Sequence, residues 1–189
     1  MFKTKLQITT MDLAQHFLDD ALLQFQKTKA LADKSFAQLE NADFLKTPEA
    51  ESNSIAIIIK HMHGNMLSRW TDFLTTDGEK PNRNRDSEFE IEADSSQEDL
   101  LKLWEDGWTL VLKTVGELTA DDVLKTVTIR GEEFTVMQAI SRQLTHYSYH
   151  VGQIVFLAKL FKSASWKSLS IPRGKSADFN NAPEIYKKV

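Results

Sequence analysis

Apolar residues recur at a helical period in four separate stretches, and that pattern most limits the folds open to this chain. The first stretch carries Leu13, Phe17, Ala21, Phe25, Ala32, Phe36 and Leu39, behind an N-cap candidate at Thr10. The second carries Ile55, Ile58, Ile59, Met62, Met66, Trp70 and Phe73, with Asn53 or Ser54 to open it. The third carries Leu100, Trp104, Trp108, Val111, Val115 and Leu118, with Ser95 and Glu98 spaced as a capping box. The fourth carries Val136, Ile140, Leu144, Tyr147, Val151, Ile154, Ala158 and Phe161, and Thr135 with Gln138 repeats the box. Most glycines and prolines fall between the stretches; Gly107 and Gly152 are among those that lie inside them. Four amphipathic helices in 189 residues predict an all-α fold, a four-helix bundle.

The connections are uneven. Lys125 to Phe134 alternates like a strand at Val127 and Ile129 and then reaches Arg130-Gly131, so it reads as a small hairpin or ordered loop feeding the fourth helix. Thr75 to Asp94 is polar and breaker-rich, and too long for a tight helix–helix turn. Such a segment serves either as a lid or binding loop, or as a crossover between helices 2 and 3 that lets them run parallel; crossovers are a standard way to connect bundles. Ser163 to Val189 lacks helical periodicity but keeps Trp166, Leu169, Ile171, Phe179 and Tyr186, the pattern of an extended segment packed on the bundle. Gly174-Lys175-Ser176 has the ending of a phosphate-binding loop, but Leu169 stands where that motif needs its first glycine, with no strand before it and no helix expected after it.

Length fits one domain, 11–189, behind a short extension, 1–10, because Met11 can serve as an alternative start. A net charge of −4 argues against a nucleic-acid partner while leaving room for a local basic patch. With no cysteine, the chain cannot form a disulfide, a thiolate metal site or a cysteine nucleophile, so any thiol chemistry must come with a ligand. Met1 to Leu6 lacks the apolar core of a secretory signal, and no apolar run approaches a membrane span, which points to the cytoplasm and away from a membrane.

Chemistry concentrates in the histidines. His146 and His150 are four apart, which on a helix stacks both imidazoles on one face, one turn apart. Two ligands hold a transition metal poorly, so a third must come from His16, His61 or His63, the other histidines of the chain. His61 and His63 diverge by roughly 200° on a helix and cannot both reach one ion. They flank the buried face centred on Met62: Ser54 and Asn65 share the His61 side, Ile59 and Trp70 the His63 side. Periodicity leaves open which flank meets the pair, although His61 keeps the more polar company. His16 reads as a flank residue and the four tryptophans as core.

The residues Ser54-Ile55, His61-Met62-His63-Gly64-Asn65 and Arg69-Trp70 on one helix, with His146, His150-Val151-Gly152-Gln153-Ile154 on another, resemble the DinB-like superfamily. They are closer still to a bacterial subfamily within it that has no assigned function, whose ending is similar to Leu169 to Ser176. That resemblance covers nearly all of the chain beyond the first ten residues. It implies a metal site of His61, His146 and His150, with His63 at a variable position of the motif. It further implies a divalent ion, often zinc or nickel, with water in open positions, and a homodimer. Some relatives transfer or isomerise substrates using a low-molecular-weight thiol.

Neutral imidazoles suit zinc, nickel, iron or copper, and three protein ligands leave a position for water or a substrate atom. The leading expectation is a metal-dependent enzyme acting on a small molecule, a thiol-dependent S-transferase or a hydrolase, with no general acid or base fixed by the sequence. Its rival is a non-catalytic, metal-stabilised module that binds a small ligand or protein partner in a stress response.

Overall fold

Four rings explain how the helices meet. Phe25 of the first helix lies 5.9 Å from Trp70, 6.2 Å from Trp108 and 5.9 Å from Tyr147, one aromatic from each of three other helices. All four are buried, and each large side chain withdrawn from water in this way contributes roughly 1.5–3 kcal/mol. The computed structural model describes residues 10–91 and 95–181. Within them, the long helices are α1 (Thr10–Phe36), α3 (Ile55–Trp70), α4 (Gln97–Glu117) and α5 (Val136–Lys162). Two short helices, α2 (Asn41–Leu45) and α6 (Ser176–Asn181), and one antiparallel hairpin, β1 (Thr126–Ile129) with β2 (Glu132–Thr135), complete a mostly helical chain. Among the described residues, no helix is long and apolar enough to cross a membrane.

The apolar periodicity maps onto the core with few exceptions. Every apolar position expected on α3 and α4 is buried, as are Phe73 and Leu118 just beyond their ends. Leu13 is not: it is 57 % exposed, and Leu18 takes the inward position on the first turns of α1. Ser54 caps α3, accepting from the Ile57 amide, and the Thr135–Gln138 box opens α5 as expected. On α4 the cap is Ser96, which accepts from the Asp99 amide at 3.1 Å, so Ser95 and Glu98 do not form the expected box. Two adjacent serines offer the same oxygen, and the helix starts one residue later than the spacing predicted. Thr10 is the first residue of α1 and not a residue outside it.

Two sequence expectations about the ends need correcting. The segment after α5 is not wholly extended: α6 forms over Ser176–Asn181, directly after Gly174-Lys175. Trp166 packs against the core, while Leu169, Ile171 and Phe179 are half-buried. Tyr186 and most of the proposed extension, residues 1–9, lie outside the described residues.

The contacts also fix helix directions. His63 meets Asp106, and one turn or two further on the Trp70 carbonyl accepts from Thr114 at 3.5 Å, so α3 and α4 run parallel. Parallel neighbours require a connection that travels back along roughly 24 Å of helix, and the long polar connector is that crossover. It is also ordered onto the fold. Ser68 of α3 donates to the Gly78 carbonyl, and the Asp77 carboxylate accepts from the amides of Glu79, Arg130 and Gly131. Those three bonds, with Glu79 first, hold the Asp77 carboxyl down at about 2. They also cap the hairpin turn, where Arg130 and Gly131 both have positive φ. Gly107 lets α4 approach α3 closely: a Cβ there would meet the Met66 sulfur at 2.7 Å.

A closed polar ring fixes α3 against α5. The Gln143 amide donates to Asn65 Oδ1 (2.7 Å) and to the Tyr147 hydroxyl (3.0 Å), which itself donates to Asn65 Oδ1 (3.2 Å) and accepts from Trp70 Nε1 (2.9 Å). All four side chains are buried. Replacing Tyr147 with Phe strands the donors of Trp70 and Gln143 away from water. Denaturant unfolding of Tyr147→Phe is expected to show a loss of about 1–3 kcal/mol; a change within error of zero would mean the ring carries no net stability.

Candidate metal centre

On α3, the residue pattern that buries Met62 sends His61 to one flank and His63 to the other. The structure resolves the choice that periodicity left open. His61 turns toward α5, where its ring centroid lies 5.5 Å from that of His146 and 4.9 Å from that of His150. The i, i+4 pair are 4.8 Å apart by the same measure. One nitrogen from each ring can be chosen so that all three lie within 4.8 Å of one another. An ion holds imidazole nitrogens about 2.0–2.1 Å from itself, so small ring rotations allow the three to share one. These three histidines can hold a metal ion. His63 does not join them: its Nε2 pairs with Asp106 at 2.9 Å on the α4 side. His16 is exposed on α1.

The free nitrogens support the same reading. His61 Nδ1 lies 2.9 Å from Glu88 Oε2, and a carboxylate can only accept, so Nδ1 donates and Nε2 is the nitrogen left to face an ion. His150 Nδ1 donates in the same way to Gln153 Oε1 at 2.9 Å, leaving Nε2 buried without a partner. His146 Nδ1 is also buried and unpartnered. Orphaned buried nitrogens on His146 and His150, with Nδ1 of His61 and of His150 tied to a carboxylate and an amide oxygen, match the way proteins orient histidine ligands.

Electrostatics keep the pair neutral. Burial pushes His146 down to about 3, helped by the nearby His150 and His61 and by Arg69 and Arg142. Burial likewise takes His150 down to about 4, against the bond to Gln153 that raises it. Uncharged imidazoles offer lone pairs to a cation at neutral pH.

Glu88 comes from the crossover, within a short 3-10 turn at Asp86–Phe89. Burial raises its pKa, and the hydrogen bonds from His61 and Arg83 outweigh that effect, so it stays below the usual carboxylate range. Arg83 grips it with a two-point fork, Nε to Oε1 at 2.8 Å and Nη2 to Oε2 at 3.1 Å. Gly64 makes room for this carboxylate. An added Cβ there would lie 2.8 Å from the Glu88 carboxyl carbon and closer still to Oε1, so any larger residue must displace Glu88 from His61. Phe89 then covers His61 at 5.6 Å, and Tyr149 packs on His150 at 4.4 Å.

Sequence reasoning missed Glu88, Arg83 and Phe89, because a connector has no periodicity to say which side chains turn inward. A signal existed at Gly64: glycine inside a helix costs about 1 kcal/mol relative to alanine and so marks a close approach. Gly152, also inside a helix, meets nothing within 4 Å.

The three histidines sit in a cavity of about 580 Å³ whose other walls include Asn65, Gln143, Phe89 and Tyr149. A larger cavity, about 1020 Å³, opens on the opposite flank of α3 and takes His63 in place of His61. None of the tryptophans lines the histidine cavity; Trp70, Trp104 and Trp108 are core, as expected.

A family model described as "Protein of unknown function (DUF1572)" matches residues 12–175, which take in α3, the crossover and α5. The chain belongs to that family. No curated protein matches it.

The depressed histidine pKa values carry a pH signature in metal-free protein. The unfolded chain, with histidines near 6.5, binds more protons than the folded one. The stability tied to this difference is complete above about pH 6.5 and is lost as pH falls toward about 3–4. Melting temperature of the metal-free protein is expected to drop between about pH 7 and pH 5, and His146→Gln to flatten that drop. An unaltered slope in His146→Gln would contradict the buried, neutral assignment.

Proposed function

We propose that this family member is a DinB-like, divalent-metal-dependent enzyme that activates a low-molecular-weight thiol for S-transfer, with His61, His146 and His150 as its metal ligands. The observation that carries the reading is the convergence of three histidines from α3 and α5, two of them with buried nitrogens that no protein group satisfies. The helix packing supports a four-helix bundle of α1, α3, α4 and α5, with the crossover between α3 and α4 that the resemblance implies.

Three nitrogen donors suit zinc or nickel and leave room for an exogenous ligand. A divalent ion held there supplies Lewis acidity, which favours the deprotonated form of a thiol or of water. The chain's own groups do the rest. Glu88 and Gln153 fix two rings in the tautomer that points a lone pair inward, and Arg83 holds Glu88 in place. Phe89 and Tyr149 narrow the access of water to the rings. The cavity of about 580 Å³ matches a small-molecule substrate and is too small for a macromolecule.

A second reading has its own observation. Among the described residues, no aspartate, glutamate or lysine lines the histidine cavity, so no ordinary proton carrier stands ready there. A metal-stabilised, non-catalytic module that binds a small ligand or partner has no need of one.

Protein purified without a histidine tag is expected to carry one divalent ion per chain, and His146→Ala to lose it, as read by elemental analysis. Loaded protein is expected to consume a thiol together with an electrophile. Stoichiometric metal without turnover on thiol or hydrolytic panels would favour the module, and metal retained by His146→Ala would contradict the site itself.

A further inference from the structure

The chain has six arginines, and five of them, Arg69, Arg83, Arg85, Arg130 and Arg142, line the histidine cavity. Among the described residues, no lysine does. In a chain of net charge −4 this is a local reversal of the overall balance. The choice of arginine over lysine is chemically informative, because a guanidinium presents a rigid fork suited to carboxylate and phosphate oxygens.

Three of the five are already committed. Arg69 is buried and holds Glu79 through both terminal nitrogens at 3.1 Å, and it also donates to the Gly78 carbonyl. Arg130 reaches the same Glu79 oxygen from the hairpin at 3.0 Å. Arg83 forks onto Glu88. Two carboxylates therefore serve three guanidiniums, and the cavity keeps a positive excess before the other two are considered.

Those two are Arg85, on the crossover, and Arg142, on α5. Both are exposed, and neither has a carboxylate within salt-bridge distance among the described residues. Arg142 holds its guanidinium carbon 5.8 Å from the centre of the Phe134 ring, and its N–H groups have no hydrogen-bond partner among the described residues. Both line the cavity together with Tyr149, so two different elements bring them to one wall, beside the rings of His146 and His150.

We infer that Arg85 and Arg142 form a subsite for an anionic group, a carboxylate or a phosphate, carried by the small molecule that enters the histidine cavity. This rests on the reading of that cavity as a substrate site, and it narrows the substrate class: the ligand bears an oxyanion a few bonds from the atom presented to the histidines. The three paired arginines set the positive field, and the two unpaired ones provide the direct contacts.

The test is calorimetric titration of the metal-free, full-length chain with inorganic phosphate and, separately, with succinate. Removing the metal keeps the anions from being captured by the ion itself. Saturable binding of at least one anion is expected, and the tighter of the two identifies the group. The double variant Arg85→Gln, Arg142→Gln is expected to weaken that binding about tenfold or more, since charge-assisted bonds are lost. Arg173→Gln, the one arginine away from the cavity, is expected to leave it unchanged. Both altered residues are exposed, and a circular-dichroism melt matching the parent checks that the double variant folds. Failure of both anions to bind, or equal binding by parent and double variant, overturns the subsite. Zinc stoichiometry measured on the same preparations reports on the metal site independently, so either proposal can fail while the other stands.

Discussion

The buried hydrogen-bond ring of Asn65, Trp70, Gln143 and Tyr147 is the constraint on which the site depends. Apolar packing alone tolerates sliding of one helix along another, because hydrophobic burial has no direction. A ring in which each donor has one acceptor permits one register. His61 lies one turn before Asn65 on α3, and His146 and His150 bracket Tyr147 on α5, so the register that closes the ring also brings the three imidazoles together. No polar atom of the ring is buried without a partner, which lets the nitrogens beside it be left unsatisfied without loosening the core.

The crossover links topology to chemistry. Because α3 and α4 run parallel, the chain must travel back along the outside of α3, and it passes the His61 flank as it does so. Asp77 and Ser68 fasten its beginning to the hairpin and to α3, and Glu88 closes onto His61 through the gap that Gly64 leaves. The lid and crossover readings of this segment are therefore not alternatives: one segment performs the connection and also supplies the wall of the cavity. The same path carries Arg83 and Arg85 past α5, which is how an acidic chain comes to gather most of its arginines in one place.

Much of this was legible in the sequence. Helical periodicity located the four long helices and nearly their whole buried faces, because amphipathic patterns report directly which side meets the core. Leu13 misled because a helix near its end can leave an apolar residue in water without large cost. The i, i+4 spacing of His146 and His150 was sufficient to place both rings on one face. Choosing between His61 and His63 needed the packing of α3 on α5, which depends on contacts between distant residues; the sequence offered the more polar company of His61 and the resemblance that pointed to it. Glu88, Arg83, Phe89 and the short helix α6 were not legible, since irregular and very short segments take their conformation from what they dock against. The clue that was present, Gly64 inside α3, said that something approaches there and not what.

The central claim is that His61, His146 and His150 together bind one cation. Anomalous diffraction from crystals of tag-free protein, collected on both sides of the absorption edge of the metal it carries, tests it most directly. The account predicts a single strong peak within bonding distance of one nitrogen from each of the three rings. A peak elsewhere on the molecule, or one out of reach of His61, would contradict it.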